Sequence, residues 1–231
     1  MHTNTDTVLV VAAHPDDEVL GCGGTIAKLS SMQPVHIAIL GEGISSRYDL
    51  RQHAKAELLT KLHGDAEAVS RMLGATGVTL IGLPDNRFDE LALLDVVKAV
   101  EKLIAETRPS TIFTHHPGDL NIDHAVTFRA VMTATRPLPG CVVRDIYTFE
   151  VPSSTEWAFQ QFAPAFQPNV FIDITATLDT KVDAMARYES EARSFPHPRS
   201  AEALRAIASR WGSVAGLGAA EAFQLVRSIR T

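Results

Sequence analysis

The first half of the chain alternates between short continuous apolar runs and longer stretches in which apolar residues recur at helical spacing. Residues 7–13, TVLVVAA, form a valine-rich run of the kind found in a strand buried on both faces. Residues 19–31 read as a helix. Residues 35–40, VHIAIL, read as a second strand that ends at Gly41-Glu42-Gly43. Residues 51–73 predict a long helix, with Leu58, Leu59, Leu62, Ala66, Val69 and Leu73 on its apolar face. Residues 78–83 predict a third strand. The helix over 91–107 stops before Pro109, which disfavours helical geometry in its predecessor. Residues 111–114 predict a fourth strand and 123–135 the helix after it.

The second half is less regular. Residues 146–151 and 170–174 predict two more strands, joined by a long loop over 152–168. Residues 178–193 and 201–211 predict helices separated by Phe195-Pro196-His197-Pro198, and residues 219–229 predict a closing helix. Strand–helix alternation at this spacing predicts an α/β fold, a mainly parallel sheet with helices on both faces. No linker or repeat divides the chain, so a single domain over residues 1–231 is expected.

Composition narrows the function classes. Of 231 residues, 45% are hydrophobic and 21% charged, ordinary for a globular protein. The formal net charge of -6 argues against general affinity for nucleic acid. Residues 1–7 are polar, with no secretory signal, and no run is long enough for a membrane span, so a cytoplasmic protein is expected. Cys22 and Cys141 are too few for a Cys-based metal site and are read as reduced thiols.

The polar clusters fall just after strands, where α/β sheets gather functional groups. They are His14-Pro15-Asp16-Asp17-Glu18, the segment 41–47, the turn Pro84-Asp85-Asn86-Arg87, and the segment 115–124. Pro15 cannot continue a strand ladder, so the chain turns there. His14 and Asp17 are suitable Zn²⁺ ligands, and His124 is the candidate third, leaving a position open for water. The same donor set suits Fe²⁺. Asp16, between two ligands, is the candidate general base. Glu18 reads as an acid favoured by a helix N-terminus.

The stretch AHPDDEVLGCGG (residues 13–24), followed by HHPGDLNIDH (115–124), resembles the LmbE-like, or PIG-L-type, deacetylases. GLPDNR (82–87), RPLPG (136–140), STEW (154–157), YESEARSFPHPRS (188–200) and AAEAF (219–223) extend the resemblance through most of the chain. It implies a Rossmann-like fold and zinc-dependent hydrolysis of an N-acyl group from a small N-acetylated sugar or glycoconjugate. It implies zinc on His14, Asp17 and His124 and a general base at Asp16. It also implies substrate contacts by Arg47 and Asp85, and a homo-oligomer.

One departure stands out. Many members carry a histidine three residues before the last zinc ligand, where this chain has Asn121. Asparagine donates a hydrogen bond to an oxyanion but does not supply a proton at neutral pH. Asp16, His116 and His197 are then the candidates for protonating the leaving amine, and Asp123 is a candidate for orienting a neighbouring group.

Two readings compete with an enzyme. Gly21, Gly23 and Gly24 follow a strand as in a nucleotide-binding loop, but Ile26 stands where a third glycine belongs, and the acidic stretch before them repels pyrophosphate. A metal-dependent sugar-binding protein that has lost catalysis is the other, motivated by Asn121. Trp157, Phe159, Phe162 and Phe166 in the 152–168 loop are read either as an aromatic wall for a sugar ring or as core or subunit contacts.

Overall fold

The computed structural model of the protein describes residues 6–48, 53 and 55–230. The apolar run near the start forms β1 (Val8–Ala12), followed by α1 (Asp17–Ser30), β2 (Val35–Gly41), α2 (Ala56–Met72) and β3 (Gly77–Leu83). Next come α3 (Leu93–Thr107), β4 (Thr111–His115), α4 (Ile122–Ala134) and β5 (Asp145–Phe149). The remainder forms β6 (Val170–Asp173), α5 (Leu178–Arg187), α6 (Ala201–Ala215) and β7 (Ala220–Ser228). The part of the expected 51–73 helix over 51–52 and at 54 lies outside the described residues.

Among the described residues the strands form one seven-stranded sheet in the order β3-β2-β1-β4-β5-β7-β6. β1 through β5 pair in parallel, and β7 runs antiparallel to both β5 and β6. The continuous hydrophobicity of β1 follows from its central place. Val8, Val10 and Ala12 enter one core, with Ile26, Val69 and Met185, while Leu9, Val11 and Ala13 enter the other, with Val96, Val100 and Val131. Successive side chains of a strand face opposite ways, so a strand covered by helices on both sides must be apolar at every position. The chain reverses strand order about β1, with β2 on one side and β4 on the other. The loops after β1 and β4 therefore part there and leave a crevice.

The glycines of α1 serve packing. A Cβ at Gly21 would overlap the ring of Phe149, and one at Gly24 would lie 2.9 Å from Ile174. The helix is also kinked at Cys22 (φ -150, ψ 25). The backbone N–H groups of Gly24 and Thr25 donate to the carboxylate of Glu221 at 3.0 and 2.7 Å. Lys181 donates to the same carboxylate at 2.6 Å and to the Leu20 carbonyl at 2.9 Å.

The structure corrects two expected elements. Residues 219–229 do not form a helix: Ala220–Ser228 is a strand. Ala, Glu, Gln and Leu are good helix formers, but the segment fills the gap between β5 and β6 and gains two ladders there, which outweigh local propensity. The helix expected over 178–193 ends at Arg187. Tyr188 beyond it is fully buried and its hydroxyl donates to Glu18 Oε1 at 2.7 Å, which draws the chain across the end of α1. The other boundaries agree with expectation to within a few residues. Among the described residues, no helix is long and apolar enough to cross a membrane.

Candidate active site

The crevice holds a cavity of about 210 Å³. Its floor comes from the turn between β1 and α1. Asp16 caps α1 from a left-handed backbone conformation (φ 110, ψ -29), an arrangement that costs a non-glycine residue about 1–3 kcal/mol. Asp17 begins the helix and folds back, accepting the backbone N–H of His14 at 2.8 Å on Oδ2. The same oxygen lies 3.2 Å from His14 Nδ1 and 3.2 Å from Nε2 of His124, which sits in the first turn of α4. Two imidazole nitrogens and one carboxylate oxygen from two loops thus face one another, with all three atoms within 4.8 Å.

The far nitrogens of both imidazoles are also met by carboxylates. His14 Nε2 is 2.9 Å from Asp123 Oδ2 and 3.3 Å from Asp85 Oδ1. His124 Nδ1 is 3.1 Å from Asp119 Oδ1. Burial alone would lower both imidazole pKa values. The carboxylates of Asp123 and Asp17 instead raise that of His14 well above its ordinary value, and Asp17 with Asp119 raises that of His124 to about 9. Burial would likewise raise Asp17, yet His124 and His115 hold its carboxyl well below the usual range. The site stabilises positive charge at its centre.

That property and the donor set fit a divalent cation. Two histidines and an aspartate, each histidine backed by a carboxylate, are a ligand set for Zn²⁺ or a similar ion. A cation would compete with the protons that the site draws onto its imidazoles.

The other expected residues separate into two groups. Asp16 lines the cavity, with Oδ2 accepting from Arg199 Nη1 at 2.7 Å. Burial raises its carboxyl well above the ordinary value, against the lowering effect of Arg199. Asp85 lines the cavity, held by the N–H of Ser46 at 3.0 Å and by Asn86 Nδ2 at 3.1 Å. Asn121 lines it too. Its Oδ1 caps α4 by accepting the N–H of Asp123 at 2.8 Å, and its Nδ2 donates to Asn86 Oδ1 at 2.8 Å. Arg47 reaches the rim, where Nη2 donates to both oxygens of Glu191 at 2.7 and 2.5 Å.

Three expected residues lie away from the cavity lining. Asp123 is fully buried behind His14 and accepts the Phe88 N–H at 2.9 Å, so it orients His14 from the side away from the cavity. His116 follows β4 and is buried but does not line the cavity, donating from Nε2 to the Pro164 carbonyl at 2.7 Å and packing on Phe166. His197 packs edge-on against Trp157, and its Nδ1 accepts the N–H of Arg199 at 3.2 Å. None of Trp157, Phe159, Phe162 and Phe166 lines the cavity. Phe166 packs on His116 and Trp211, and Phe159 is 75% exposed.

Four participants lie within the segments 115–124 and 188–200 but are given no role by the sequence pattern. His115 is fully buried, accepts the Ala13 N–H at 2.8 Å, and stacks on His124 with ring centroids 3.9 Å apart, so it braces that ring. Asp119 meets His124 from behind. Glu191 and Arg199 come from the irregular chain between α5 and α6 and also line the cavity. The PHPRS stretch is the one clue in the sequence that leads to Arg199.

The fold and site define a Rossmann-like α/β protein with a carboxylate-backed group of residues that could hold a cation at the switch point of its sheet. Residues 9–135 match the sequence model of the family described as PIG-L, GlcNAc-PI de-N-acetylase, and the chain belongs to that family of N-deacetylase hydrolases. An uncharacterized deacetylase of Escherichia coli, YaiS, is 27% identical over 79% of this chain and 90% of its own length. The 1D-myo-inositol 2-acetamido-2-deoxy-alpha-D-glucopyranoside deacetylase of Mycolicibacterium smegmatis is 29% identical over 84% of this chain and 82% of its own. The fold is shared with N,N'-diacetylchitobiose deacetylase from Pyrococcus horikoshii, at a TM-score of 0.77 and 23% identity over 97% of this chain and 85% of that one. It is shared equally with a 4-carboxy-2-hydroxymuconate hydratase, GalB, from Pseudomonas putida, at a TM-score of 0.76 and 23% identity over 98% of each chain.

Proposed function

We propose that this protein hydrolyses the N-acetyl group of an amino sugar or related glycoconjugate, with a zinc ion held by His14, Asp17 and His124 and with Asp16 as the general base. The observation that carries this reading is the convergence of two carboxylate-backed imidazoles with Asp17 beside Asp16 on the floor of one cavity. The family supports amide hydrolysis. The mycobacterial relative, named for an acetamido sugar glycoside, supports the substrate class. The fold itself does not decide the reaction, because it also carries a hydratase.

A divalent cation in this position supplies Lewis acidity, polarising a carbonyl and lowering the pKa of a water molecule. Asp16 accepts a proton from the water that adds to the amide carbon. The C–N bond then breaks as the amine takes a proton, leaving acetate and the free amino sugar. Asn121 does not supply that proton, and His116 and His197 lie away from the cavity lining, so Asp16 returns the one it accepted. Arg199 holds the carboxylate of Asp16 towards the cavity by its 2.7 Å contact. Asn121 offers its second amide hydrogen to a developing oxyanion, and Asp85 with Asn86 offers acceptors to sugar hydroxyls. Fe²⁺ suits the same ligands.

The test is acetate release from a panel of N-acetylated sugars, nucleotide sugars and glycosyl-inositol conjugates by metal-loaded protein, with chelated protein and Asp16→Asn as controls. Release is expected to vanish on chelation. It is expected to fall by several orders of magnitude in Asp16→Asn while that variant still binds metal stoichiometrically. Activity retained by Asp16→Asn would remove its role. Sugar binding without acetate release across the panel would favour a binding protein.

A further inference from the structure

The cavity's two guanidinium groups are already neutralised by the protein itself. Arg47 Nη2 contacts both oxygens of Glu191, at 2.7 and 2.5 Å. Arg199 Nη1 lies 2.7 Å from Asp16 Oδ2 and 3.3 Å from Glu191 Oε2, and its Nε donates to Ser153 Oγ at 2.7 Å. Glu191 is buried and further accepts Ser190 Oγ at 2.9 Å. Among the described residues, no other lysine or arginine lines the cavity, whereas Asp17 and Asp85 add two more carboxylates. A divalent cation balances that excess and leaves no positive charge over.

We infer that the site selects electrically neutral, polyhydroxylated N-acetyl sugars over phosphorylated or carboxylated ones, and that Glu191 is the residue that sets this preference. The inference rests on the sugar-amide reading above and narrows its substrate class. A phosphate or carboxylate entering the cavity meets Asp16, Asp17, Asp85 and Glu191. At Arg47 it must compete with the buried carboxylate of Glu191, both of whose oxygens already hold Nη2. A neutral sugar meets none of this repulsion and uses the same carboxylates as acceptors for its hydroxyls. Replacing Glu191 by the isosteric glutamine removes one negative charge, keeps the shape, and frees Arg47 and one Arg199 N–H for an incoming anion.

The test pairs N-acetylglucosamine with N-acetylglucosamine 6-phosphate. Binding to metal-loaded wild type and to Glu191→Gln is followed by ligand-detected NMR titration, with acetate release measured in parallel. Wild type is expected to bind the neutral sugar at least about tenfold more tightly, the scale set by a single charge-assisted hydrogen bond. Glu191→Gln is expected to shift the ratio of affinities at least about tenfold towards the phosphate. Tighter binding of the phosphate by wild type, an unchanged ratio in a folded Glu191→Gln, or binding of neither sugar to either protein overturns the inference. If Glu191→Gln does not fold, the wild-type ratio alone decides. The expected binding ratios without acetate release would leave the selectivity standing and sink the deacetylase reading.

Discussion

Replacing Asp119 by asparagine isolates the carboxylate behind His124 without changing its shape. Asp119 is buried, accepts the N–H of Asn121 at 2.8 Å and Thr155 Oγ1 at 2.6 Å, also accepts Ser154 Oγ, and faces His124 Nδ1 at 3.1 Å. Burial opposes its ionisation, but His124 and these donors bring its pKa from 3.8 to about 2. In the metal-free protein that depression corresponds to about 2.5 kcal/mol of stability at pH 7. The folded pKa lies below the unfolded one, so the contribution is complete above about pH 5 and fades as pH falls through 4 towards 2, to about half at pH 3. An asparagine keeps one acceptor and turns an N–H₂ towards donors, so its stability deficit is expected to be largest at neutral pH and to narrow in acid. Because the carboxylate also sets the orientation and basicity of His124, metal affinity is expected to fall about 10–100-fold. Urea unfolding of the chelated proteins at pH 7 and pH 3 measures the first effect, and competition with a calibrated chelator measures the second. A stability difference independent of pH would refute the charge argument. A metal affinity within about twofold of wild type would refute the role assigned to Asp119.

Two further substitutions probe the scaffold that carries the site. Lys181→Met leaves the buried carboxylate of Glu221 without its cation, and a loss of about 3–5 kcal/mol is expected in urea unfolding. Adding Glu221→Gln to it should recover part of that loss, and no recovery would mean that packing rather than charge dominates. Gly21→Ala drives a methyl group into the ring of Phe149, with about 1–3 kcal/mol of destabilisation expected, and a thermal midpoint equal to that of wild type would show that α1 yields freely.

The parts of this protein legible in its sequence are those encoded by neighbours. β1 reads as a strand because it is apolar on both faces, and HPDD reads as a turn with donors because proline and the acids act on adjacent residues. His124 is reachable because it opens a helix after another strand, in a loop that matches the first. Asp119, His115, Glu191 and Arg199 do not stand out, because what makes them participants is a contact across long sequence separations. The bond from Arg199 to Asp16 spans 183 residues. Histidines adjacent to functional segments mislead for the converse reason. His116 follows His115 directly, but successive residues leave a strand in opposite directions, so one braces the site and the other points away. The closing segment 219–229 carries helix-forming residues without a period-two pattern, because its first residues are buried on both faces. Only the vacancy between β5 and β6 makes it a strand.

That vacancy has a consequence for the order in which the molecule can assemble. β6 touches the sheet only through β7, although it precedes β7 in the chain. Until β7 has been synthesised and threaded into place, β6 has no ladder to join. Until then the N–H groups exposed by the kink at Cys22 also lack Glu221, and Lys181 lacks its counter-charge. The first five strands can pair during synthesis, because each finds its neighbour among residues already made. The helix that begins with Asp17 is held by Lys181 and Tyr188 from earlier in the chain, but its contacts to Glu221 come with the last strand to arrive. A nascent chain can therefore carry His14, Asp17 and His124 before the contacts between α1 and Glu221 exist.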